Sequence, residues 1–424
     1  MIEKVITKTN LNAAYLQVYR NKGGAGIDGK TVNDLHSHLQ NQNELYIEQI
    51  QSGTYQVSPI LGVEIPKPNG KKRLLGIPTV VDRVFQQALH QVLQPIFEDD
   101  FQEHSYGFRP NRNAHQAIEQ SLRNINNGYQ HIIDIDLKSF FDEVEHYILL
   151  DLIFKKVQCP YTLKLIRSFL RAPIQINAKL QKRRRGVPQG SPLSPLLSNI
   201  ILNELDKELE KRNLHYVRYA DDFSIYVKSE KAAKRVGNSI FKFLRDRLKL
   251  PINRTKSKIC RPVNFQTLGY GFVPTYKKGE KGKYQLIVSS AKWKDLKSKL
   301  KTITRKTTPA TFDERIERIN KLIQGWINYF KLASIQAKLK KLDEWLRNRL
   351  RYCIWHHWKK PERKRKNLIR LGISIDQAYA WSRTRMGGWA VAQSPILGTT
   401  ITIDRLSKRG YKSLLNYYNQ VKHH

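Results

Sequence analysis

Cysteine is scarce in this chain. Cys159, Cys260 and Cys353 are the only three, they lie far apart, and no CxxC pair occurs among the 424 residues. That spacing supports neither a disulfide framework nor a zinc ribbon, and it suits a reducing compartment. The adjacent His356 and His357 have no second ligand pair at metal-binding spacing. No apolar run approaches the ~18–20 residues that a spanning helix needs. Met1-Ile2-Glu3-Lys4 opens without the apolar core of a signal peptide. A cytoplasmic, nucleoid-associated protein without a membrane partner is expected. Acidic residues are the other shortage: 36 Asp and Glu stand against 75 Lys and Arg, a net charge of +39. So large an imbalance points to a polyanion, because neutralising phosphates rewards Lys and Arg.

The charge is unevenly spread. Residues 291–424 hold 31 Lys and Arg against 9 Asp and Glu, more than half of the net charge. This last third reads as a grip on nucleic acid rather than a catalytic body. Helical patterns are expected at 80–98, 112–126, 145–155, 193–212, 231–249, 313–332 and 336–358, and strands near 130–136, 216–219 and 223–228. A hairpin is expected over 61–78, turning at Pro68-Asn69-Gly70. A glycine-rich loop covers 23–29. The proline and charge run of 359–366 reads as a boundary before a smaller terminal module.

Against this basic background the few acids are concentrated. Tyr219-Ala220-Asp221-Asp222 sits between two strand-prone runs, and Ile132-Ile133-Asp134-Ile135-Asp136 ends another. Adjacent carboxylates repel, and a divalent ion is the usual compensating charge. Asp221-Asp222 alone would also serve as a polar hairpin turn. Asp134 shares side-chain parity with Asp136 and is a further candidate. Phe140-Phe141 follows, an aromatic pair able to line a sugar pocket or to fill a core. Arg183-Arg184-Arg185-Gly186-Val187-Pro188-Gln189-Gly190-Ser191 then joins a basic stretch to an apolar helix, with Gly190 permitting close backbone approach.

Taken in order, these segments resemble the palm motifs of reverse transcriptases. Ile65-Pro66-Lys67-Pro68, Leu75–Arg83 and His104–Arg112 resemble the fingers motifs, and Gly325-Trp326-Ile327-Asn328-Tyr329-Phe330 resembles the maturase motif of group II intron-encoded proteins. The resemblance implies an α+β right-hand polymerase of fingers, palm and thumb. It divides the chain into an N-terminal extension and fingers (1–85, with part of 86–128), a palm with remaining fingers elements (86–288), a thumb or maturase domain (289–366) and a DNA-binding region (367–424). It implies two Mg²⁺ ions, replaceable by Mn²⁺, held by Asp136, Asp221, Asp222 and the backbone carbonyl of Leu137.

Nucleotide contacts would come from Lys67, Arg73, Phe141, Gln189, Gly190 and Lys256, with Phe141 as sugar gate. Template and primer contacts would come from Arg109, Arg112, Leu268 and Gly269. Partners would be a group II intron RNA, an RNA template with a DNA primer, target DNA and dNTPs. The resemblance is to the compact group IIC-like type without an endonuclease domain. The chain departs from Pro-Gln-Gly-Gly by placing Ser191 after Gly190, for which altered local packing is expected. The competing readings are a reverse transcriptase of a defence or CRISPR-associated system and a purely RNA-binding splicing factor. Most aromatics between the cations of the last third are expected in the thumb core.

Overall fold

The computed structural model describes residues 1–66, 70, 72–276 and 279–422. The chain forms two compact units, Met1–Arg261 and Pro262–His424.

The first unit contains two four-stranded sheets. One is built from β1 (Ile60–Pro66), β2 (Lys72–Ile77), β4 (Ile174–Ile176) and β5 (Lys179–Gln181), in the order β2-β1-β4-β5. The other is built from β3 (His131–Ile135), β6 (His215–Tyr219), β7 (Asp222–Val227) and β8 (Lys258–Cys260), in the order β6-β7-β3-β8. Its strands are antiparallel neighbours, and β3, β6 and β7 carry consecutive buried residues, so both faces of the sheet are covered there. Ile133, Ile135, Phe223 and Ile225 lie in the main core with the apolar stripe Ala233, Val236, Ile240 and Leu244 of the helix Glu230–Asp246. The helix Ser194–Lys211 is buried along most of its length. The helix Val80–Glu98 begins where Thr79 caps it by accepting from the Asp82 amide.

Short connections fix the register. β6 and β7 pair through Tyr219 and Asp222, so Ala220-Asp221 is a two-residue hairpin loop. β1 and β2 pair from Leu61–Ile77 to Pro66–Lys72. The expected turn between them falls partly on Pro68 and Asn69, outside the described residues.

The second unit has a three-stranded sheet of β9 (Gln266–Thr267), β10 (Tyr270–Pro274) and β11 (Tyr284–Val288), in the order β11-β10-β9. These strands, which the resemblance assigns to the palm, fall in this unit. Its longest helices are Ser290–Ile303, Phe312–Phe330 and Gln336–His357. Thr311 and Glu314 form a capping box at the start of Phe312–Phe330, which buries Ile316, Ile319, Ile323, Ile327 and Phe330 at helical spacing. Trp355 and Trp358 are buried, as expected of core aromatics, whereas Tyr329 is 36% exposed.

The helix Gln336–His357 ends just before the proline and charge run, where a boundary is expected. Pro361 then starts the next element. It occupies the first turn of a helix, Pro361–Arg370, where no backbone donor is needed, and that helix runs through residue 367. The following segment is tied to the helix Gln336–His357. Asp343, 2% exposed, accepts from the Tyr411 and Ser413 hydroxyls, both at 2.6 Å, and from the Leu414 and Leu415 amides at 2.9 and 3.0 Å. The Tyr418 hydroxyl donates to the Ala333 carbonyl at 2.6 Å. A carboxylate with four donors at the start of the helix Leu414–Lys422 is an N-terminal cap supplied from another helix.

Candidate active site

β3 and β7 pair Ile135 with Phe223 and Asp134 with Ser224. Extending that antiparallel register by one residue sets Asp136 beside Asp222, and the hairpin loop puts Asp221 next to both. Three segments thus bring the expected carboxylates to one end of one sheet. Asp136 is fixed from behind: its amide donates to the Ser257 hydroxyl at 3.0 Å, and its carbonyl accepts from the Asn253 amide at 2.8 Å. Leu137 follows with a buried side chain and bridges to Ile252. Lys256 reaches the Asp136 carboxylate at 3.4 Å across an open surface, a pair worth little to stability because water screens it.

The charges respond to this crowding. The floor of the site withdraws water from Asp222, and Asp221, Asp136 and Asp134 add negative charge beside it. These effects push its pKa up to about 6, with Lys256 pulling the other way. Burial raises Asp134 to about 6 as well, against the pull of Lys258. Among the described residues no three side chains of the His, Cys, Asp and Glu kind form a ready-made metal cage. A hard divalent ion of the magnesium type needs no such cage. It binds through one or two carboxylates and completes its shell with water and substrate phosphate. The hard-oxygen donors and the raised pKa of Asp222 fit such an ion. When bound, it supplies positive charge to the primer hydroxyl and to the triphosphate with its leaving group.

The Ala220-Asp221 hairpin loop is held in an unusual conformation. Ala220 has φ 57°, the left-handed region that a side chain disfavours. What imposes it lies directly beneath. Arg218 is fully buried; its Nε donates to both Asp206 oxygens at 2.8 and 2.9 Å, and its Nη1 donates to Asn199 Oδ1 at 2.9 Å and to the Ala220 carbonyl at 3.0 Å. Asn199 Nδ2 in turn donates to the Gly107 carbonyl at 2.9 Å. Gly107 must be glycine, since a Cβ there would stand 2.2 Å from the Ala220 nitrogen. Sequence reasoning missed this brace. A charged residue inside a strand, with an acid twelve positions earlier on a helix, is the only signal it leaves.

The same unit holds a cavity of ≈ 600 Å³ whose lining includes Arg73, Leu75, Phe108, Phe141, Gln189 and Gly190. Arg73 Nε donates to Gln189 Oε1 at 2.5 Å, and the Gly76 amide donates to the Gln189 carbonyl at 2.8 Å. The expected nucleotide residues of β2 and of the Pro-Gln-Gly turn are therefore joined. Gly190 has φ 113°, and a Cβ there would stand 2.7 Å from the Gly76 carbonyl. The Ser191 hydroxyl, the departure noted above, donates to the buried Gln86 side chain. Phe140 belongs to the core at 2% exposure, while Phe141 packs against the core and also faces the cavity. The Phe141 carbonyl accepts from the Val187 amide at 2.6 Å, which ties the expected sugar gate to the same turn. Lys67 lies outside the described residues.

The template contact expected of Arg109 is corrected. Its side chain is 5% exposed and paired with Glu98 at 2.8 Å. It also donates to the carbonyls of Gln102, Ser105 and Phe101. With its donors engaged inside the protein, this guanidinium holds a loop rather than a phosphate. Arg112 is partly exposed and bonds the Glu103 carbonyl at 3.3 Å. Leu268 and Gly269, in the second unit, form the turn between β9 and β10 with φ 50° and 83°. The Tyr329 hydroxyl donates to the Leu268 carbonyl at 2.9 Å, so the maturase-like segment supports that turn.

A sheet-end carboxylate cluster, together with a cavity that joins Arg73, Phe141 and Gln189, is what a nucleotidyl-transfer site on a right-hand polymerase fold requires. The family profile described as "Reverse transcriptase (RNA-dependent DNA polymerase)" matches residues 65–272, and that of the "Group II intron, maturase-specific domain" matches residues 293–372. The chain is 33% identical over 297 residues to Protein YkfC of Escherichia coli (strain K12), covering 60% of this chain and 78% of that protein. It is 30% identical over 325 residues to the Group II intron-encoded protein LtrA of Lactococcus lactis subsp. cremoris, covering 61% of this chain and 54% of that protein. It therefore spans most of YkfC but about half of LtrA. A solved partial Cas6-RT-Cas1–Cas2 complex is 26% identical, covering 58% of this chain and 43% of that chain, with a TM-score of 0.37 too low to carry an argument. The chain belongs to the family of group II intron-encoded reverse transcriptases with a maturase domain. The chain carries the domain of an RNA-directed DNA polymerase, which uses a divalent metal as the family does. No helix among the described residues is long and apolar enough to cross a membrane.

Proposed function

We propose that the protein copies an RNA template from a DNA primer with dNTPs and two Mg²⁺ ions, assists splicing of a group II intron RNA, and inserts that intron into target DNA by target-primed synthesis in the cytoplasm. The observation that carries this reading is the register placing Asp136 beside Asp222, with Ala220-Asp221 as the hairpin loop. Asp136, Asp221, Asp222 and the Leu137 carbonyl are the proposed metal ligands. Arg73 and Lys256 face the triphosphate, Phe141 the sugar, and Gln189 with Gly190 the rest of the nucleotide; Lys67, outside the described residues, is assigned to the triphosphate by the resemblance alone. Arg112 and the Leu268-Gly269 turn contact template and primer.

The proposed division is N-terminal extension and fingers over 1–85, palm with remaining fingers over 86–288, thumb over 289–366 and DNA-binding region over 367–424, the last two interlocked through Asp343. The maturase-domain match favours an intron role over a defence system, and the intact carboxylates favour an enzyme over a binding-only factor. The test is primer extension on an RNA template by the wild type and by Asp222→Ala. Activity in the first and its abolition in the second are expected. Equal extension by both would refute the site.

A further inference from the structure

The segment Tyr106–Arg109 presents an aromatic ring to which the proposed reaction assigns no role. Tyr106 is buried, and its amide donates to the Arg218 carbonyl at 2.9 Å. Gly107 lies against the backbone of Ala220. Arg109 is locked to Glu98 and to three carbonyls. Between these anchors Phe108 has φ 59° and is 48% exposed. A bulky residue in the left-handed region is a true backbone outlier, and half of its apolar ring meets solvent rather than core. Both costs are avoidable, since Gly or Asn would relieve the first and a polar residue the second. The ring lines the cavity that also holds Arg73, Phe141 and Gln189.

The geometry points to Phe108 as a stacking platform for the terminal base pair of the template–primer duplex. This rests on the proposed reverse-transcriptase reading. The partner is a nucleobase because every base offers an apolar π-face to a ring, whatever its sequence. Placement supports it further: Phe108 directly follows Gly107, the glycine that touches the Ala220-Asp221 loop, so a base resting on the ring lies beside the reacting primer end. Anchoring on both sides makes the platform rigid, and rigid aromatic area binds without an ordering cost. Phe108 is thus a positioning residue, distinct from the carboxylates and from the Arg109 that holds it.

The test uses the full chain with a labelled RNA template and DNA primer. Phe108→Asn and Phe108→Gly remove the ring but suit the left-handed backbone. Phe108→Trp and Phe108→Tyr keep a ring. Duplex affinity is read by fluorescence anisotropy, kcat/KM by single-nucleotide addition, and folding by the thermal midpoint. Loss of one base–aromatic stack corresponds to a roughly 5- to 100-fold effect. Asn and Gly are expected to lose at least about five-fold in both affinity and kcat/KM, with Gly melting no lower than the wild type and Trp and Tyr restoring function. The proposal is overturned if Asn and Gly behave as wild type, if Trp and Tyr are as impaired as Asn, or if the loss tracks a lowered midpoint in the Gly variant. If the wild type itself fails to extend primers, the reverse-transcriptase reading fails. The anisotropy comparison still decides the role of Phe108.

Discussion

Removing Asp206 tests whether the catalytic loop is held by the ion pair beneath it. Arg218 and Asp206 are both 0% exposed. Asp206→Ala leaves the Arg218 charge in place and removes the acceptors of its Nε and Nη2. An uncompensated buried charge of this kind costs about 3–5 kcal/mol. At about 2–4 °C per kcal/mol for a unit of this size, the midpoint of the Met1–Arg261 unit should fall by roughly 6–20 °C. The control is Glu230→Ala, which breaks an exposed pair with Lys234 and should leave the midpoint essentially unchanged, because water screens such a pair. A second variant separates stability from geometry. Arg218→Met with Asp206→Leu replaces the pair by apolar groups and should recover most of the lost stability. It cannot restore the donor to the Ala220 carbonyl, so nucleotide addition should remain depressed. Unfolding followed by fluorescence and single-turnover primer extension read the two effects. An Asp206→Ala protein within about 1 kcal/mol of the wild type, or a double variant with full activity, would refute the account.

Asp221→Ala should abolish extension while leaving RNA binding unchanged by filter assay, because the grip on phosphate is spread over many cations. Phe141→Ala should lower the selectivity for dNTP over rNTP by roughly ten-fold, about 1.4 kcal/mol, in paired incorporation assays; an unchanged ratio in an active variant would make Phe141 core only. Asp343→Ala leaves four buried or half-buried donors without their acceptor and should destabilise the second unit by several kcal/mol, so deletion of 367–424 should unfold that unit rather than yield a tidy catalytic fragment. Burial raises Asp82 to about 6. The folded state therefore holds its proton more tightly than the unfolded chain, and this group's contribution to stability is present near pH 4 and lost as pH rises through about 6, by about 3 kcal/mol. Asp82→Asn should remove that slope from the wild-type titration.

Much of the fold was legible where periodicity is strong. The helix Val80–Glu98 has the bounds its pattern predicts, and β3, β6 and β7 fall within a residue or two of expectation. The three carboxylates were legible because acids are rare in this chain and stand at strand ends. The short strands β4 and β5 were not, since three residues carry no readable period. Arg109 misled because a sequence shows an arginine's charge but not its accessibility, and burial against Glu98 spends that charge internally. Phe108 falls in the segment read as a fingers motif, but its exposure was not legible, because a left-handed φ at phenylalanine is imposed by its neighbours rather than preferred by the residue. Asp343 looks like one acid among many cations, and only the folded chain shows that it caps a helix about seventy residues later.

That cap also sets an order of events during synthesis. Met1–Arg261 contains its own core and can close while the rest of the chain is still emerging from the ribosome, as domains made first usually do. The second unit has no such freedom. Asp343 is made early, but its donors at Tyr411, Ser413, Leu414 and Leu415 come 68 to 72 residues later. Until then the carboxylate must stay hydrated and its helix cannot bury its final face. The polymerase unit is thereby ready before the basic unit can set, and a chain broken anywhere between these positions is left with a half-closed, exposed surface that quality-control proteases can recognise.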